Sequence, residues 1–453
     1  MKICVQGLGY VGASTSLLIS NVKKKNKPIF FVYGLESNTK LGQNRVKSFK
    51  NYSFPFKSND KQIPKILKEI KKNKNFEATT DKSSISKSAV IICSVNFDLK
   101  KNLKSFNDKI FKSAINDIAN YVTENSLIII QSTVPIGYTR RIIYSILEKK
   151  LKKRKININK IYLAHSYERV TPGMNYINSI INSHRVYSGM NEISKKKCKS
   201  FLKKIVNFKN FPLTELENTD ASELSKILEN SYRSTNIAFI EEWRRFSEIL
   251  GINLEKIIKA IRMRKTHSNI MMPGLGVGGY CLTKDPMFGE LSSKLIFKKN
   301  LKFKFSTTSI YQNEQMLKNN IKKISNILQN SELKNINIII FGMSYKEDVG
   351  DLRNSPSLIL AKSLKSKGYN VSFYDNFVNE KIDKIKKIKK INDLRKFNFI
   401  IFTVKHKDIE RISFKNIKIK KNTIIYDANL VLNNSQIKVL ENRTSNFYKV
   451  GTN

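Results

Sequence analysis

The stretch PGLGVGGYCLTKDP, residues 273–286, sets Cys281 behind a glycine-rich loop and follows it with Lys284 and Asp285. A structural cysteine sits among apolar neighbours and is inert. Cys281 has a different setting: glycines leave a substrate room to reach the sulfur, and charged side chains follow it directly. A thiol with the ordinary pKa of about 8.5 is only a few per cent thiolate at pH 7. An ammonium beside it, from Lys226 or Lys284, raises that fraction about tenfold per pKa unit, worth about 1.4 kcal/mol. These residue types point to a nucleophile. Cys4 and Cys93 lie in apolar runs and Cys198 in a lysine run, so none of the three competes.

A second constellation lies at the N-terminus, where GLGYVG places Gly7, Gly9 and Gly12 in GxGxxG spacing after an apolar run. The first glycine permits a tight turn, the second lets a pyrophosphate approach the backbone, and the third lets helix pack on strand. Glu36 ends the next apolar run, close to the roughly 20-residue spacing of an acid that bonds a ribose 2′-hydroxyl. Its charge repels a 2′-phosphate, so the spacing selects NAD. In IIIQSTVPIG, Thr133 falls just beyond a strand, at the carboxyl edge where open α/β sheets bind ligands. Lys226 and Asn230 stand four apart and share a helix face. On their own these three read as a turn residue and a solvated face; Cys281 gives them context.

The elements that must position these groups alternate. Apolar β-rich runs at KICVQ, IFFVYGLE, AVIICSV, LIIIQ and IYLA are separated by lysine-rich segments of helical length, the pattern of a doubly wound parallel sheet. From about residue 220, DASELSKILENSYRSTNIAFIEEWRRFSEIL carries apolar residues at three-to-four spacing without Pro or Gly and predicts one long helix. Asp220 with Glu223 predicts a capping box at its start. After Leu333 four strands return: NINIIIFGM, NVSFYD, FNFIIFTV and NTIIYDANLV. The fold class is therefore α/β, with two Rossmann-like doubly wound parallel sheets joined by a central helical domain containing one long helix. The expected division is 1–205, 206–325 and 326–453.

Composition narrows the classes of function. At 453 residues, 40% of them hydrophobic, the chain is long enough for two or three domains with real cores. No apolar run approaches the roughly 20 residues of a membrane-spanning helix, and glycines interrupt the N-terminus, so a cytoplasmic protein without membrane insertion is expected. The four cysteines are widely spaced without CxxC pairing, so neither a disulfide framework nor a metal site is expected. A net charge of +47 invites a nucleic-acid reading. The lysines are instead spread in short runs among Ile and Asn, residues that share A/T-rich codons, so no nucleic-acid partner is expected. The charge still attracts anionic substrates.

GLGYVG, STVP, ELSKILEN, GVGGYCLTKDP and FGMSYKEDVGDLRNSPS, in this order and spacing over nearly the whole chain, resemble the UDP-glucose/GDP-mannose dehydrogenase family. The resemblance implies an N-terminal NAD-binding domain, a central helical dimerisation domain carrying the cysteine loop, and a C-terminal domain for the sugar nucleotide. It implies oxidation of a nucleotide-sugar C6 hydroxyl to a carboxylate with two NAD per sugar, by a homodimer or larger homo-oligomer, for surface polysaccharide. By motif, Cys281 traps the C6 aldehyde as a thiohemiacetal that is oxidised to a thioester. Lys226 and Asn230 stabilise the oxyanion, Asp285 with a water held by Thr133 moves protons, and Glu168 serves thioester hydrolysis. The cofactor contacts implied are Gly7, Gly9, Tyr10, Val11, Gly12, Glu36, Lys40, Ser94, Thr133 and Arg353. The substrate contacts implied are Glu168, Arg169, Lys226, Asn230, Gly278 and Lys346, the last on the diphosphate.

This chain departs from the family pattern at three places. Pro172 stands where members acting on UDP-glucose carry a second glutamate, and ERVTPG resembles members acting on UDP-N-acetylhexosamines, which are the expected substrates. SVNFD lacks the usual Thr-Pro, and Ser37 and Asn38 replace the usual second acid beside Glu36. UDP-glucose or GDP-mannose by the same mechanism is the alternative. A two-electron β-hydroxyacid dehydrogenase needs no cysteine loop and no third α/β domain. A basic nucleic-acid or surface-binding protein on an inactive dehydrogenase fold needs none of Cys281, Lys226 and Asp285.

Overall fold

The computed structural model describes residues 1–170, 173, 175–331, 333, 335–444 and 446–452. Pro172 lies outside the described residues. The chain forms two compact units, one of Met1–Glu229 with Met287–Phe303 and one of Asn230–Pro286 with Lys304–Asn453.

In the first unit, β1 (Lys2–Gln6), β2 (Phe31–Leu35), β3 (Phe76–Thr79), β4 (Val90–Cys93), β5 (Leu127–Ile130), β6 (Tyr162–His165), β7 (Val186–Gly189) and β8 (Thr214–Glu215) build an eight-stranded sheet. Its order is β8-β7-β6-β5-β4-β1-β2-β3. Only β6 and β7 pair antiparallel. β4 (VIIC) and β5 (LIII) are apolar throughout, and β1 between its ends, because both faces are covered. Ile3, Val5, Ile92 and Ile129 meet Phe201 and Leu202 on one face, while Cys4, Ile91 and Ile128 meet Phe111, Ile115 and Leu147 on the other. Each such buried aliphatic side chain contributes roughly 1.5–3 kcal/mol of transfer free energy. Strand order reverses between β1 and β4, and a ligand crevice opens at such a point beyond the carboxyl ends.

The helices that follow these strands matter most for the site. They are α1 (Tyr10–Ser20), α2 (Lys40–Lys50), α3 (Tyr144–Lys153), which one π turn at Thr139–Ile143 precedes, and α4 (Thr219–Ile249). The long helix predicted from periodicity is α4. Its start differs from the expected capping box. Asn218 caps it, accepting from the Ala221 N–H at 3.0 Å. Asp220 already lies in the helix and pairs with Arg141 at 2.8 Å and Arg140 at 3.8 Å. Glu223 is buried and accepts from two loop N–H groups, so its carboxylate is not turned back toward the helix start.

In the second unit, α5 (Lys304–Gln329) leads to β9 (Asn337–Phe341), α6 (Pro356–Ser366), β10 (Asn370–Tyr374), β11 (Lys386–Lys387), β12 (Phe399–Phe402), β13 (Ile424–Asp427) and β14 (Phe447–Lys449). The strands form an all-parallel sheet in the order β11-β10-β9-β12-β13-β14, with its reversal between β9 and β12. The four strands read from the sequence are β9, β10, β12 and β13. The structure adds β11 and β14, which are too short to show a period of their own and are held by a neighbour. Among the described residues, no helix is long and apolar enough to cross a membrane.

Candidate active site

The glycine turn after β1 has the features a dinucleotide requires. Gly7 adopts φ +90°, in the left-handed region that favours glycine. A Cβ at Gly12 would fall 1.8 Å from the Gly7 carbonyl oxygen, so helix and strand touch at backbone distance. A Cβ at Gly9 would meet nothing within 4 Å. Gly9 is also the N-cap of α1 and offers no side chain to its first N–H groups, which are left to attract an anion. Glu36, at the carboxyl end of β2, accepts from the Leu8 N–H at 2.9 Å and pairs with Arg45 at 3.0 Å. Glu36, expected on the ribose, is thus held beside the glycine turn. Val11 is half-buried in the first turn of α1, and Tyr10 stacks on Phe56 at 4.0 Å. Lys40 is exposed in the first turn of α2.

Ser94 and Glu168, expected on cofactor and substrate respectively, belong to one buried network in the first unit. Gln131, just past β5, accepts from the Ser94 hydroxyl at 2.5 Å and donates to Glu168 at 3.0 Å. The Arg185 guanidinium donates to the same Glu168 oxygen at 2.5 Å, and the Arg169 N–H donates to the other at 2.9 Å. Both members of the Glu168–Arg185 pair are almost wholly buried. Sequence reasoning passed over Gln131 and Arg185, because a polar residue at a strand end carries no mark of pointing inward. The Arg169 side chain bridges Glu229 at 3.1 Å and the His184 carbonyl at 2.6 Å.

Thr133, half-buried, follows Gln131 on the segment that leads to α3. That segment is tied to α4 by Glu223, which accepts from the Gly137 N–H at 2.6 Å and the Thr139 N–H at 2.9 Å. Burial pushes the Glu223 pKa up from 4.5 to about 8, outweighing the Thr139 side chain and these two backbone bonds. The next turn of α4 carries Lys226, whose ammonium lies 5.2 Å from the centre of the Tyr167 ring. One further turn along the same helix is Asn230.

In the second unit, Asn230 donates to one oxygen of the Asp285 carboxylate at 2.7 Å, and Lys284 donates to the other at 2.8 Å. Asp285 is wholly buried. Lys284, one of two candidates for activating the thiol, is therefore bonded to the aspartate, with its ammonium 4.4 Å from the Tyr280 ring centre. Cys281 is exposed, whereas Cys4, Cys93 and Cys198 are buried. Burial pushes those three thiols up to about 12, 11 and 12, which removes them as nucleophiles. The Cys281 carbonyl accepts from the Lys284 and Asp285 N–H groups, so one tight turn carries thiol and acid.

The glycine loop before Cys281 lies against the segment that carries Lys346 and Arg353. A Cβ at Gly278 would stand 2.7 Å from Pro356 and 2.8 Å from Tyr345. Lys346 is half-buried, and burial together with the charge of Arg233 lowers its pKa. Two cations that repel each other, Lys346 half-buried and Arg233 exposed, suit a phosphate. Arg233 is a third residue that sequence reasoning missed, although its position one turn after Asn230 on α4 was the available signal. Arg353 pairs with Asp351 at 2.6 Å and lies 5.4 Å from the Tyr280 ring centre.

Comparison with known proteins adds three matches to the UDP-glucose/GDP-mannose dehydrogenase family: its NAD binding domain at residues 1–207, its central domain at 220–314 and its UDP binding domain at 339–434. The UDP-N-acetyl-D-mannosamine dehydrogenase of Methanocaldococcus jannaschii is 31% identical over 444 residues, covering 95% of this chain and 93% of that protein. The enzyme of the same name from Methanococcus maripaludis is 31% identical over 444 residues, covering 96% and 94%. In fold, the solved UDP-D-ManNAc dehydrogenase of Pyrococcus horikoshii superposes with a TM-score of 0.78 at 24% identity, covering 100% of this chain and 99% of that one.

Proposed function

Because the chain belongs to the UDP-glucose/GDP-mannose dehydrogenase family and is an NAD-dependent nucleotide-sugar dehydrogenase, we propose that it oxidises the C6 hydroxyl of UDP-N-acetyl-D-mannosamine to a carboxylate. The observation that carries the chemistry is the buried Asp285, gripped by Asn230 and Lys284 one turn after an exposed thiol. The substrate rests on the relatives of that name at 31% identity and on the ERVTPG form of the segment after Glu168.

Gly7, Gly9, Gly12 and Glu36 would hold NAD, which when bound would supply the hydride acceptor for each of the two oxidations at C6. Between them the Cys281 sulfur adds to the aldehyde carbon and forms a thiohemiacetal, whose oxidation leaves a thioester. Water then breaks the C–S bond, releasing the carboxylate and returning the thiol. Lys226 and the second amide hydrogen of Asn230 stabilise the oxyanion at C6. Asp285 takes the hydroxyl proton through a water held by Thr133, and Glu168 directs the hydrolytic water. Lys346 and Arg233 hold the diphosphate.

The same reading includes self-association. Along α4, Leu228, Phe239, Trp243 and Phe246 are each about half exposed or more, whereas Ile227, Ala238 and Ile240 are buried. An apolar stripe of that length suits a second copy of the helix.

Initial rates with a panel of sugar nucleotides test the substrate. The reading predicts kcat/KM for UDP-N-acetyl-D-mannosamine at least about tenfold above UDP-N-acetyl-D-glucosamine, UDP-glucose and GDP-mannose. A preference for UDP-glucose would overturn it.

A further inference from the structure

Two segments of the second unit carry groups assigned above to opposite ends of the sugar nucleotide: Gly278–Asp285 holds the thiol, and Ser344–Pro356 holds Lys346. They meet at Gly279, two residues before Cys281. The Gly279 N–H donates to the Arg353 carbonyl at 3.1 Å. The Asn354 side-chain amide donates to the Gly279 carbonyl at 2.9 Å and to the Thr283 hydroxyl oxygen at 3.3 Å. Both backbone polar groups of Gly279 are thus held from the nucleotide side, and Asn354 also reaches the far flank of the cysteine.

The fit around this contact leaves the loop little freedom. A Cβ at Gly279 would fall 2.6 Å from the Tyr345 ring, and one at Gly278 would fall 2.8 Å from the Asn354 carbonyl oxygen. Asn354 itself adopts φ +48°, the left-handed region that asparagine enters more readily than most residues. The position thus combines a turn that asparagine tolerates with an amide that points into the cysteine loop.

We propose that Asn354 is a positioning residue that couples diphosphate binding at Lys346 to the placement of the Cys281 thiol. The catalytic part of this role rests on Cys281 being the nucleophile. A diphosphate on Lys346 fixes the segment Ser344–Pro356; Asn354 transmits that restraint to Gly279 and Thr283, and so to both sides of Cys281. Coupling of this kind is reciprocal, so UDP alone, without any sugar to cover the sulfur, alters thiol reactivity.

The test is carbamidomethylation of Cys281 by iodoacetamide in the full-length protein, with and without saturating UDP, followed at the Cys281 peptide by mass spectrometry. Asn354→Gly keeps the left-handed backbone and removes the clamp. Asn354→Asp keeps the shape and turns the donor into an acceptor facing the Gly279 carbonyl. In the wild type, UDP slows alkylation at least about threefold, and in both variants the effect falls below about 1.5-fold while UDP still binds. The variants also lose at least about tenfold in kcat with sugar-nucleotide KM changed less than about threefold, a split that general loosening of the fold does not produce. A wild-type rate indifferent to UDP, or a folded variant with wild-type kcat and UDP response, overturns the proposal. Turnover that survives complete alkylation of Cys281 would instead overturn the nucleophile assignment, which is separable because the UDP effect is read without turnover.

Discussion

The side-chain amide of Asn230 donates to the Asp285 carboxylate at 2.7 Å, and the other carboxylate oxygen accepts from Lys284 at 2.8 Å. The aspartate is wholly buried and Lys284 nearly so, so neither charge is screened by water. Breaking a buried pair by removing one partner costs about 3–5 kcal/mol, because the other charge is stranded. Asp285→Asn should therefore lower the urea midpoint markedly as well as slow turnover. Adding Lys284→Met should return at least half of the lost stability and none of the activity. An Asp285→Asn protein as stable as the wild type would contradict this account of the pair.

Glu223 gives the chain a pH dependence of unusual sign. Its pKa is raised from 4.5 to about 8 in the fold, so the folded protein holds a proton that the unfolded chain has lost. The stability from this group is complete below pH 4.5 and is lost as pH rises through about 8. The groups facing it are the Thr139 side chain and the Thr139 and Gly137 N–H donors, which lower the pKa, and Asp220, which raises it further; Arg140 and Arg141 are engaged by Asp220. Relative to Glu223→Gln, the wild type should lose stability progressively between pH 5 and 8. Parallel urea midpoints for the two proteins across that range would contradict it.

Glu168 should separate oxidation from hydrolysis. Glu168→Gln keeps the shape and retains an acceptor for Arg185, yet it removes the charge proposed above to direct water. The expected outcome is a burst of about two NADH per active site followed by slow turnover, with the thioester trapped on Cys281 and visible by intact mass. Steady-state loss without a burst or an adduct would place Glu168 earlier in the reaction.

The fingerprint glycines should fail in different ways. Gly12→Ala puts a methyl group 1.8 Å from the Gly7 oxygen and should not fold normally. Gly9→Ala meets nothing within 4 Å of protein, so it should melt like the wild type. On the proposed binding of NAD at this turn, its methyl group would stand in the way of the pyrophosphate, and the KM for NAD should rise about tenfold, or 1.4 kcal/mol. Equal melting temperatures for both variants, or an unchanged NAD KM in Gly9→Ala, would contradict the reading of the turn.

Much of this site can be read from residue type and spacing alone. Gly7, Gly9 and Gly12 announce a backbone approach that no side chain permits, and the apolar runs of β1, β4 and β5 announce strands covered on both faces. The thirty-odd residues of α4 announce themselves by period. Other features have no local mark. Asp220 and Glu223 read as a capping box, yet a carboxylate that caps a helix and one that pins a neighbouring loop have the same spacing. Which one forms depends on where Gly137 and Thr139 come to lie. Gln131 and Arg185 both bond Glu168, which follows a different strand from either, so neither position shows its burial locally. Asn354 sits in a turn where asparagine is ordinary, and its role depends on a loop some seventy residues earlier in the chain.

The central claim, that Cys281 carries a thioester through a four-electron oxidation, is tested most directly by counting NADH formed per mole of UDP-N-acetyl-D-mannosamine consumed at completion, with Cys281→Ser alongside. The account predicts about two per sugar in the wild type and no sustained turnover in the variant. One per sugar, with Cys281→Ser unaffected, would make the enzyme a simple alcohol dehydrogenase and the cysteine loop a structural turn.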